Sequence, residues 1–312
     1  MEDEISNWSR LVSASNTKHI WQAFFTNLGI ALIKATAAVF TKSGAMLAEA
    51  IHSAADCSNQ LLLLLGVKRA AKAPDADHPL GYGRSLYFWS FLVALLLFTA
   101  GGVFSIYEGL HKIWFPEELH HLEIGLVILF IAFLLEGWST LQNVKEMNLR
   151  RKSIPFLRYL RETKDSDLIV VFGENSAATA GLVLAMFATV CAWYTQDPRW
   201  DGVGSLMVGV VLVGVAIFLA IEIQSLLVGE RADPAIEVDI RKALQGHETI
   251  IELLNLITVQ QGPSEVMVAM KVRMKDELRT EEICNEINRF EKSLKLVRPE
   301  IRWCFVEPDT EK

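Results

Sequence analysis

Six long apolar segments occupy the first 230 residues of the chain. Two of them, residues 86–107 and 202–221, contain no charged residue, and each is as long as the roughly 20-residue helix that crosses a bilayer core. A buried helix of a soluble protein could explain any one segment, but six in succession favour membrane spans. We therefore predict a transmembrane domain over residues 1–230, with helices at about 20–41, 44–67, 86–110, 123–145, 167–194 and 201–228.

Lysine and arginine are distributed unevenly between the loops that connect these spans. The loops after spans 2 and 4 carry eleven of them, whereas the three opposite loops carry only Lys42, Lys112 and Arg199. Because cytoplasmic loops are enriched in Lys and Arg, both termini are predicted to lie in the cytoplasm. The acidic residues 1–4 resemble neither a secretory signal nor an Arg-rich mitochondrial presequence, so we expect a bacterial inner (cytoplasmic) membrane.

The sequence becomes charged from Arg231 onward, and residues 231–312 are predicted to form a small cytoplasmic domain. A helix that begins at Pro234 and stops at Gly246 is followed by two apolar, β-rich runs separated by a Gln-Gly-Pro turn. A second amphipathic helix and a last strand complete the order α-β-β-α-β, which indicates a ferredoxin-like domain. Since such a domain has a thin core, we expect it to be stabilised in a homodimer.

Composition excludes several classes of function. The net charge of −7 argues against nucleic acid as a partner, because phosphate binding requires clustered cations. The four cysteines are scattered without a CxxC pair, so neither a disulfide framework nor a thiolate zinc site is indicated. A membrane hydrolase is an alternative class, although the chain lacks HExxH and GxSxG motifs. No organic cofactor is expected.

Polar and charged side chains lie inside four of the six predicted spans. They are Lys34 in span 1, Glu49, His52 and Asp56 in span 2, Glu136 in span 4, and Glu174 and Asn175 in span 5. An ionisable group at bilayer depth costs at least about 2.5 kcal/mol, so such groups persist where they meet one another, water or an ion. Spans 1, 2, 4 and 5 are therefore predicted to surround a polar pathway, with spans 3 and 6 facing more lipid.

Glu49, His52 and Asp56 stand at positions i, i+3 and i+7 of span 2 and share one face of the helix. An imidazole and a carboxylate one turn apart can both reach a small cation, and zinc accepts such nitrogen and oxygen ligands. Alternatively, these side chains only bond one another or pair with Lys34. A further carboxylate facing them from another span, Glu174, favours the metal site over that alternative.

Two stretches resemble the signature of the cation diffusion facilitator family of metal/proton antiporters. They are SGAMLAEAIHSAADCSNQ at residues 43–60 and the loop His78-Pro-Leu-Gly-Tyr-Gly-Arg84. The His-Ser-x-x-Asp-x-x-Asn-Gln run is similar to that of the mitochondrial-type zinc transporters of the family. The end of span 6 and the α-β-β-α-β tail also match, so the resemblance covers nearly the whole chain.

The resemblance implies a transport site formed by His52 and Asp56 with two residues of span 5. Most members have His or Asp, and then Asp four residues later, where this chain has Val171 and Asn175. The adjacent Glu174 is the expected acidic substitute, as in the mitochondrial-type branch. A site of His, Asp and Glu then takes Asn175 or water as its fourth ligand.

The surrounding intramembrane charges are expected to line the pathway or support the site. These are Glu49, Lys34 and Glu136, and Glu136 either comes close to the metal or pairs with Lys34. Of the family's cytoplasmic loop site only Asp75 and His78 are present, with Tyr82 where a second His is often found. A capped tight turn is the alternative for that loop. The C-terminal domain has His247 alone, so we expect it to bind no metal and to serve in dimerisation.

Residues and resemblance together predict efflux of a divalent metal, zinc first, in exchange for protons. Metal requires a neutral His52 and ionised carboxylates, so protons compete for the same groups. Manganese, iron, cobalt and cadmium are the alternative substrates, since nitrogen ligands favour zinc and all-oxygen sites favour manganese. A metal-sensing membrane protein that does not transport is the other class that stays open.

Overall fold

The computed structural model describes residues 24–25, 27–119, 121–151, 154–164 and 166–310. Helices account for most of the chain before residue 229: α1 (Asn27–Thr41), α2 (Gly44–Ala70), α3 (Ser85–Leu96), α4 (Phe104–Trp114), α5 (Leu122–Arg150), α6 (Phe156–Glu162), α7 (Ser166–Thr195) and α8 (Arg199–Val228). The acidic residues 1–4 and the start of the first predicted span, residues 20–23, lie outside the described residues.

Four segments of the described chain are long and apolar enough to cross a membrane. They are Ser85–Trp114, Leu122–Arg150, Leu168–Thr195 and Arg199–Val228, and they coincide with predicted spans 3 to 6. Helix α1 is apolar but shorter within the described residues, and α2 has 27 residues but carries the polar groups predicted from the sequence. The protein is therefore a helical membrane-type protein, while a total of six spans stays a prediction.

Ser85–Trp114 forms one long helix in which the π-helical turns of Leu97–Val103 join α3 to α4. This helix packs tightly on α8 through glycines. A Cβ on Gly109 would lie 2.7 Å from the carbonyl oxygen of Gly202, and a Cβ on Gly209 would lie 2.9 Å from that of Gly102. Because small residues let helix backbones approach closely in a membrane, these glycines fix α3 and α4 against α8.

The exposure of the spans differs from the sequence-based expectation. Only 22% of the most apolar window of Leu122–Arg150, predicted span 4, is buried inside the protein, compared with 39% for Ser85–Trp114 and 33% for Arg199–Val228. Span 4 is thus less buried within the chain than spans 3 and 6, contrary to the expectation, whereas span 5, at 44%, is more buried than both, in line with it. Spans 3 and 6 have apolar centres that could face lipid, but close packing at their glycines buries them against each other.

The start of α2 is held by a buried aspartate from the start of α8. Asp201 accepts hydrogen bonds from the hydroxyl of Ser43 and the backbone N–H of Gly44, and Lys112 Nζ lies 3.6 Å from its Oδ2. Such a carboxylate satisfies the free N–H groups at a helix N-terminus and opposes the helix dipole. Asp201 therefore anchors the helix that carries most of the predicted site residues.

The C-terminal region contains α9 (Pro234–Gln245), β1 (Ile250–Gly262), β2 (Glu265–Met274), α10 (Thr280–Val297) and β3 (Ile301–Pro308). This is the predicted order α-β-β-α-β. The sheet has the order β1-β2-β3, with β1 and β2 antiparallel and β2 and β3 parallel. One face of the sheet packs with both helices into a hydrophobic core of its own, which includes Ile240, Val268 and Phe290.

The loop between α2 and α3 contacts the turn between β1 and β2. Gly83 and Gly262 meet backbone to backbone, since a Cβ on Gly262 would lie 2.7 Å from the Cα of Gly83. Nearby, the backbone N–H of Gln260 donates to the carbonyl oxygen of Glu230 at 2.9 Å. The C-terminal sheet is thus packed directly against the loop between α2 and α3 and against the segment that follows α8.

Candidate metal centre

Helix α2 presents a continuous face of buried polar side chains. Glu49, His52, Asp56 and Asn59 are all buried, and their positions fall within an arc of about 80° on a helix that turns about 100° per residue. Asn59 belongs to the His-Ser-x-x-Asp-x-x-Asn-Gln run but is not among the site residues predicted from the sequence. Its spacing of seven residues from His52 is the signal that could have found it.

Several polar atoms on this face have no hydrogen-bond partner among the described residues. They are both ring nitrogens of His52, Oδ1 of Asp56, Oδ1 of Asn59 and Oε1 of Glu49. His52 Nε2 lies 3.7 Å from Asp56 Oδ2, which is too long for a hydrogen bond. A buried polar group without a partner costs about 1–3 kcal/mol, so this face offers nitrogen and oxygen donors that a cation or protons can satisfy.

Glu174 of α7 faces the polar surface of α2. The side-chain amide of Asn59 donates a hydrogen bond to Glu174, with 2.5 Å between Nδ2 and Oε1. Glu174 is buried, and its carboxylate interacts electrostatically with that of Asp56. The acidic residue of span 5 and the His-Asp pair of span 2 therefore lie on facing surfaces of two helices.

A glycine allows this approach of α7 to α2. A Cβ on Gly181 would lie only 2.6 Å from Oε1 of Glu49, well inside normal contact distance. Any larger residue at this position would push α7 away from the carboxylate or force Glu49 to move. Gly181 is thus one reason why Glu174, two turns earlier on α7, comes within hydrogen-bond distance of α2.

Lys34 of α1 is fully buried and pairs with α2. Its Nζ lies 3.1 Å from Glu49 Oε2 and 3.0 Å from Ser53 Oγ. Among the described residues Lys34 thus pairs with Glu49, as the alternative for the polar face of span 2 allows, and not with Glu136. Glu136 is buried on α5 and has no ion-pair partner in the part of the chain that the structure describes.

Asn175, the other predicted ligand of span 5, is bonded to α5. Its Nδ2 donates to Ser139 Oγ at 3.0 Å, and its backbone carbonyl accepts from Thr140 Oγ1 at 3.0 Å. The same threonine hydroxyl lies 2.8 Å from that of Thr179. The amide nitrogen of Asn175 is therefore occupied in this structure, and the role of its side-chain oxygen as a fourth ligand stays a prediction.

Asp75 and His78 lie in a turn that is held by several hydrogen bonds within the chain. Asp75 accepts from the backbone N–H of His78 at 2.9 Å, from Lys72 Nζ at 2.8 Å and from the hydroxyl of Tyr82 at 2.7 Å. The bonds from Lys72 and Tyr82 hold the pKa of Asp75 below its usual value. This is the arrangement of a capped turn, in which donors of the protein already occupy the carboxylate.

The histidine of the C-terminal domain also has protein partners. His247 Nδ1 lies 2.6 Å from Glu286 Oε1, and the imidazole packs edge-on against the ring of Phe290. Glu286 in turn is 3.0 Å from Arg289 Nη1. The contact between His247 and Glu286 ties the segment after α9 to α10.

No group of three or more His, Cys, Asp and Glu side chains converges on one point within residues 27–119, 121–151, 154–164 and 166–310. The α2–α7 interface thus brings together three separate potential metal ligands, His52, Asp56 and Glu174. A metal bound there would have to draw these side chains together. Such movement is compatible with side chains that lie on two different helices.

Residues 20–228 match the family model for the cation efflux transmembrane domain. The chain belongs to the cation diffusion facilitator family. This family consists of cation transporters rather than enzymes. The matched range covers every predicted intramembrane site residue, from Lys34 in α1 to Asn175 in α7.

Cation diffusion facilitator relatives share about a third of the aligned residues with this chain. It is 31% identical over 226 residues to Metal tolerance protein C4 of Arabidopsis thaliana, an alignment that covers 72% of this chain and 49% of the relative. It is 32% identical over 198 residues to human Proton-coupled zinc antiporter SLC30A9, mitochondrial, covering 63% of this chain and 35% of the relative. The chain therefore spans half or less of the length of these relatives.

Proposed function

We propose that this protein exports divalent metal ions, zinc in the first place, in exchange for protons. The observation that carries the proposal is the buried surface between α2 and α7. There the two ring nitrogens of His52 and an oxygen of Asp56 lack hydrogen-bond partners among the described residues, opposite a carboxylate held by Asn59. Membership of a cation efflux family supports a role in cation transport, and this surface offers nitrogen and oxygen ligands suited to zinc.

The chemistry of the donors favours zinc among the divalent metals. One imidazole and two carboxylates form the His and Asp/Glu set that zinc binds in tetrahedral sites with an open position. Manganese prefers sites made of oxygen alone, and iron, cobalt and cadmium are further alternatives. A relative at 32% identity that is named a proton-coupled zinc antiporter points to the same ion.

The proposed transport step uses the carboxylate oxygen of Glu174 that is not bonded to Asn59. In this structure Oε1 of Glu174 accepts from Asn59. When zinc binds, Asn59 keeps this oxygen, and the other carboxylate oxygen would bind the ion together with His52 and Asp56, with Asn175 or water as the fourth ligand. Zinc binding requires unprotonated ligands, so protons that return to these groups on the opposite side release the ion. Rocking of α7 and α5 against α2 and α1 would alternate access to the two sides.

The proposal includes an orientation and an assembly. Eleven Lys and Arg residues in the loops after spans 2 and 4 favour cytoplasmic termini, and we propose a bacterial inner membrane as the location. Zinc would then leave the cytoplasm. The small C-terminal domain would hold two copies together as a homodimer, and Glu49, Lys34 and Glu136 would line the pathway beside the site.

Reconstituted liposomes test this function directly. Zinc added outside vesicles that contain the protein and a pH-sensitive dye should drive proton flux, and Asp56→Ala should abolish it. Asp77→Ala removes an exposed aspartate of the loop and serves as the matched control with normal flux. Unchanged flux in Asp56→Ala would contradict the proposed site.

The same assay separates zinc transport from the other candidates. Replacing zinc by manganese, iron, cobalt or cadmium ranks the substrates by initial rate. A metal sensor that does not transport would bind zinc by calorimetry and lose that binding in Asp56→Ala, yet would show no flux even as the unaltered protein.

A further inference from the structure

A groove lined by arginine and aromatic side chains lies between the end of α2, the start of α3 and the C-terminal sheet. Its volume is about 380 Å³, and its walls include Arg69 of α2, Arg84 before α3, Phe88 and Trp89 of α3, and Gln261 at the end of β1. The backbone contact between Gly83 and Gly262 joins the two walls. The groove is separate from the interface of α2 and α7 that holds the proposed metal centre.

The groove carries uncompensated positive charge. Within the described residues neither Arg69 nor Arg84 has an ion-pair partner, and the Nε of Arg84 is buried without a hydrogen-bond acceptor. The nearby carboxylates are already paired: Asp75 with Lys72, and Glu265 with Arg302 at 2.9 Å. The two guanidinium groups therefore present donors that fit a phosphate, which arginine binds with paired N–H groups.

The position of the groove places this charge at the surface of the membrane. Arg84 immediately precedes Ser85, the first residue of the candidate span Ser85–Trp114. Phe88 follows about one turn later and is 51% exposed, and Trp89 is half-buried beside it. Cations at the end of a span followed by exposed aromatic rings match the headgroup and upper acyl-chain levels of a bilayer.

We propose that this groove binds the headgroup phosphate of an anionic phospholipid. Arg69 and Arg84 contact the phosphate, and Phe88 lies along the start of an acyl chain. Gln261 belongs to the C-terminal sheet, so the bound lipid bridges that sheet and the membrane-embedded helices. A free phosphate ion shares the headgroup chemistry but gains nothing from Phe88, which is why the lipid is the occupant.

Thermal melting of the full chain in a neutral detergent tests this binding. Added phosphatidylglycerol should raise the melting temperature by about 2–4 °C, whereas phosphatidylcholine or inorganic phosphate should leave it unchanged. The rise should shrink as sodium chloride goes from about 0.1 M to about 1 M, because salt screens the charges. An equal rise with phosphatidylcholine, or a rise with inorganic phosphate alone, would overturn the proposal.

Substitutions locate the effect. Arg69→Gln combined with Arg84→Gln should lose the rise caused by phosphatidylglycerol. Arg69→Gln alone changes an exposed position and should reduce the rise in melting temperature. This single variant tests the proposal if the double variant fails to fold. Lys68→Gln removes the same charge from the neighbouring exposed position of α2, outside the groove, and should keep the full rise. A full rise in Arg69→Gln would overturn the assignment.

Discussion

The side-chain amide of Asn59 on α2 donates to the carboxylate of Glu174 on α7, with 2.5 Å between the two atoms. The bond orients the only acidic side chain that α7 brings to this interface in the described part of the chain. Oδ1 of Asn59 has no hydrogen-bond partner within the part of the chain that the structure describes. Asn59 therefore holds Glu174 opposite His52 and Asp56.

Asn59→Ala should weaken zinc transport without abolishing it. Residues that orient metal ligands contribute about 10- to 100-fold to metal affinity or activity, so we expect the apparent affinity for zinc in liposomes to fall by about ten-fold or more. Ser58→Ala is the control, because Ser58 is exposed and bonds only its own helix, to the carbonyl oxygen of Ala54. An Asn59→Ala protein with unaltered zinc affinity would show that Glu174 does not depend on this bond.

The buried pair of Lys34 and Glu49 should be strongly coupled. Lys34→Met leaves the Glu49 carboxylate buried without its cation, and breaking such a pair costs about 3–5 kcal/mol. Adding Glu49→Gln removes that charge, so the double variant should be more stable than Lys34→Met alone. Denaturant unfolding of the two single variants and the double variant measures the coupling, and purely additive effects would refute it.

Gly262→Ala should loosen the contact between the C-terminal sheet and the loop after α2. The added Cβ would meet the Cα of Gly83 at 2.7 Å, and two backbones cannot yield as a flexible side chain can. Overpacking of this kind costs about 1–3 kcal/mol. We expect faster tryptic cleavage at Arg231, beside the junction. Gly246→Ala adds a methyl group no closer than 3.4 Å to another atom and should leave the cleavage rate unchanged.

The bond between Glu286 and His247 should make the C-terminal domain sensitive to acid. It lowers the pKa of Glu286, so its stabilising effect is full above the unfolded value of about 4.3 and is lost as pH falls through the lower folded value. At pH near 7, Glu286→Gln should speed amide hydrogen exchange in residues 280–297 by about five-fold, which corresponds to about 1 kcal/mol.

That difference should shrink at a pH well below the unfolded value of about 4.3, because the bond is lost as Glu286 of the unaltered protein takes up a proton. Glu281→Gln changes an exposed carboxylate on the same helix and provides the comparison. If the effect of Glu286→Gln were the same at both pH values, the ion pair would not be the source of the protection.

The sequence by itself determined which residues share a helix face and where the long helices lie. A period of 3.6 residues places Glu49, His52 and Asp56 together on α2, and long apolar runs locate the four described candidate spans. Apolar runs, helical spacing and turn residues were likewise sufficient to predict the α-β-β-α-β order of the C-terminal region. These features follow from local geometry, which depends only on neighbouring residues.

Only the tertiary structure decided which faces meet. Lys34 pairs with Glu49 rather than Glu136, Asn59 reaches Glu174, the amide of Asn175 turns to α5, and Asp201 anchors the start of α2. Each relationship depends on the rotation and depth of one helix against another. Those are set by packing contacts such as Gly181 against Glu49 and Gly109 against Gly202, which join residues far apart in the chain and leave no periodic signal in its sequence.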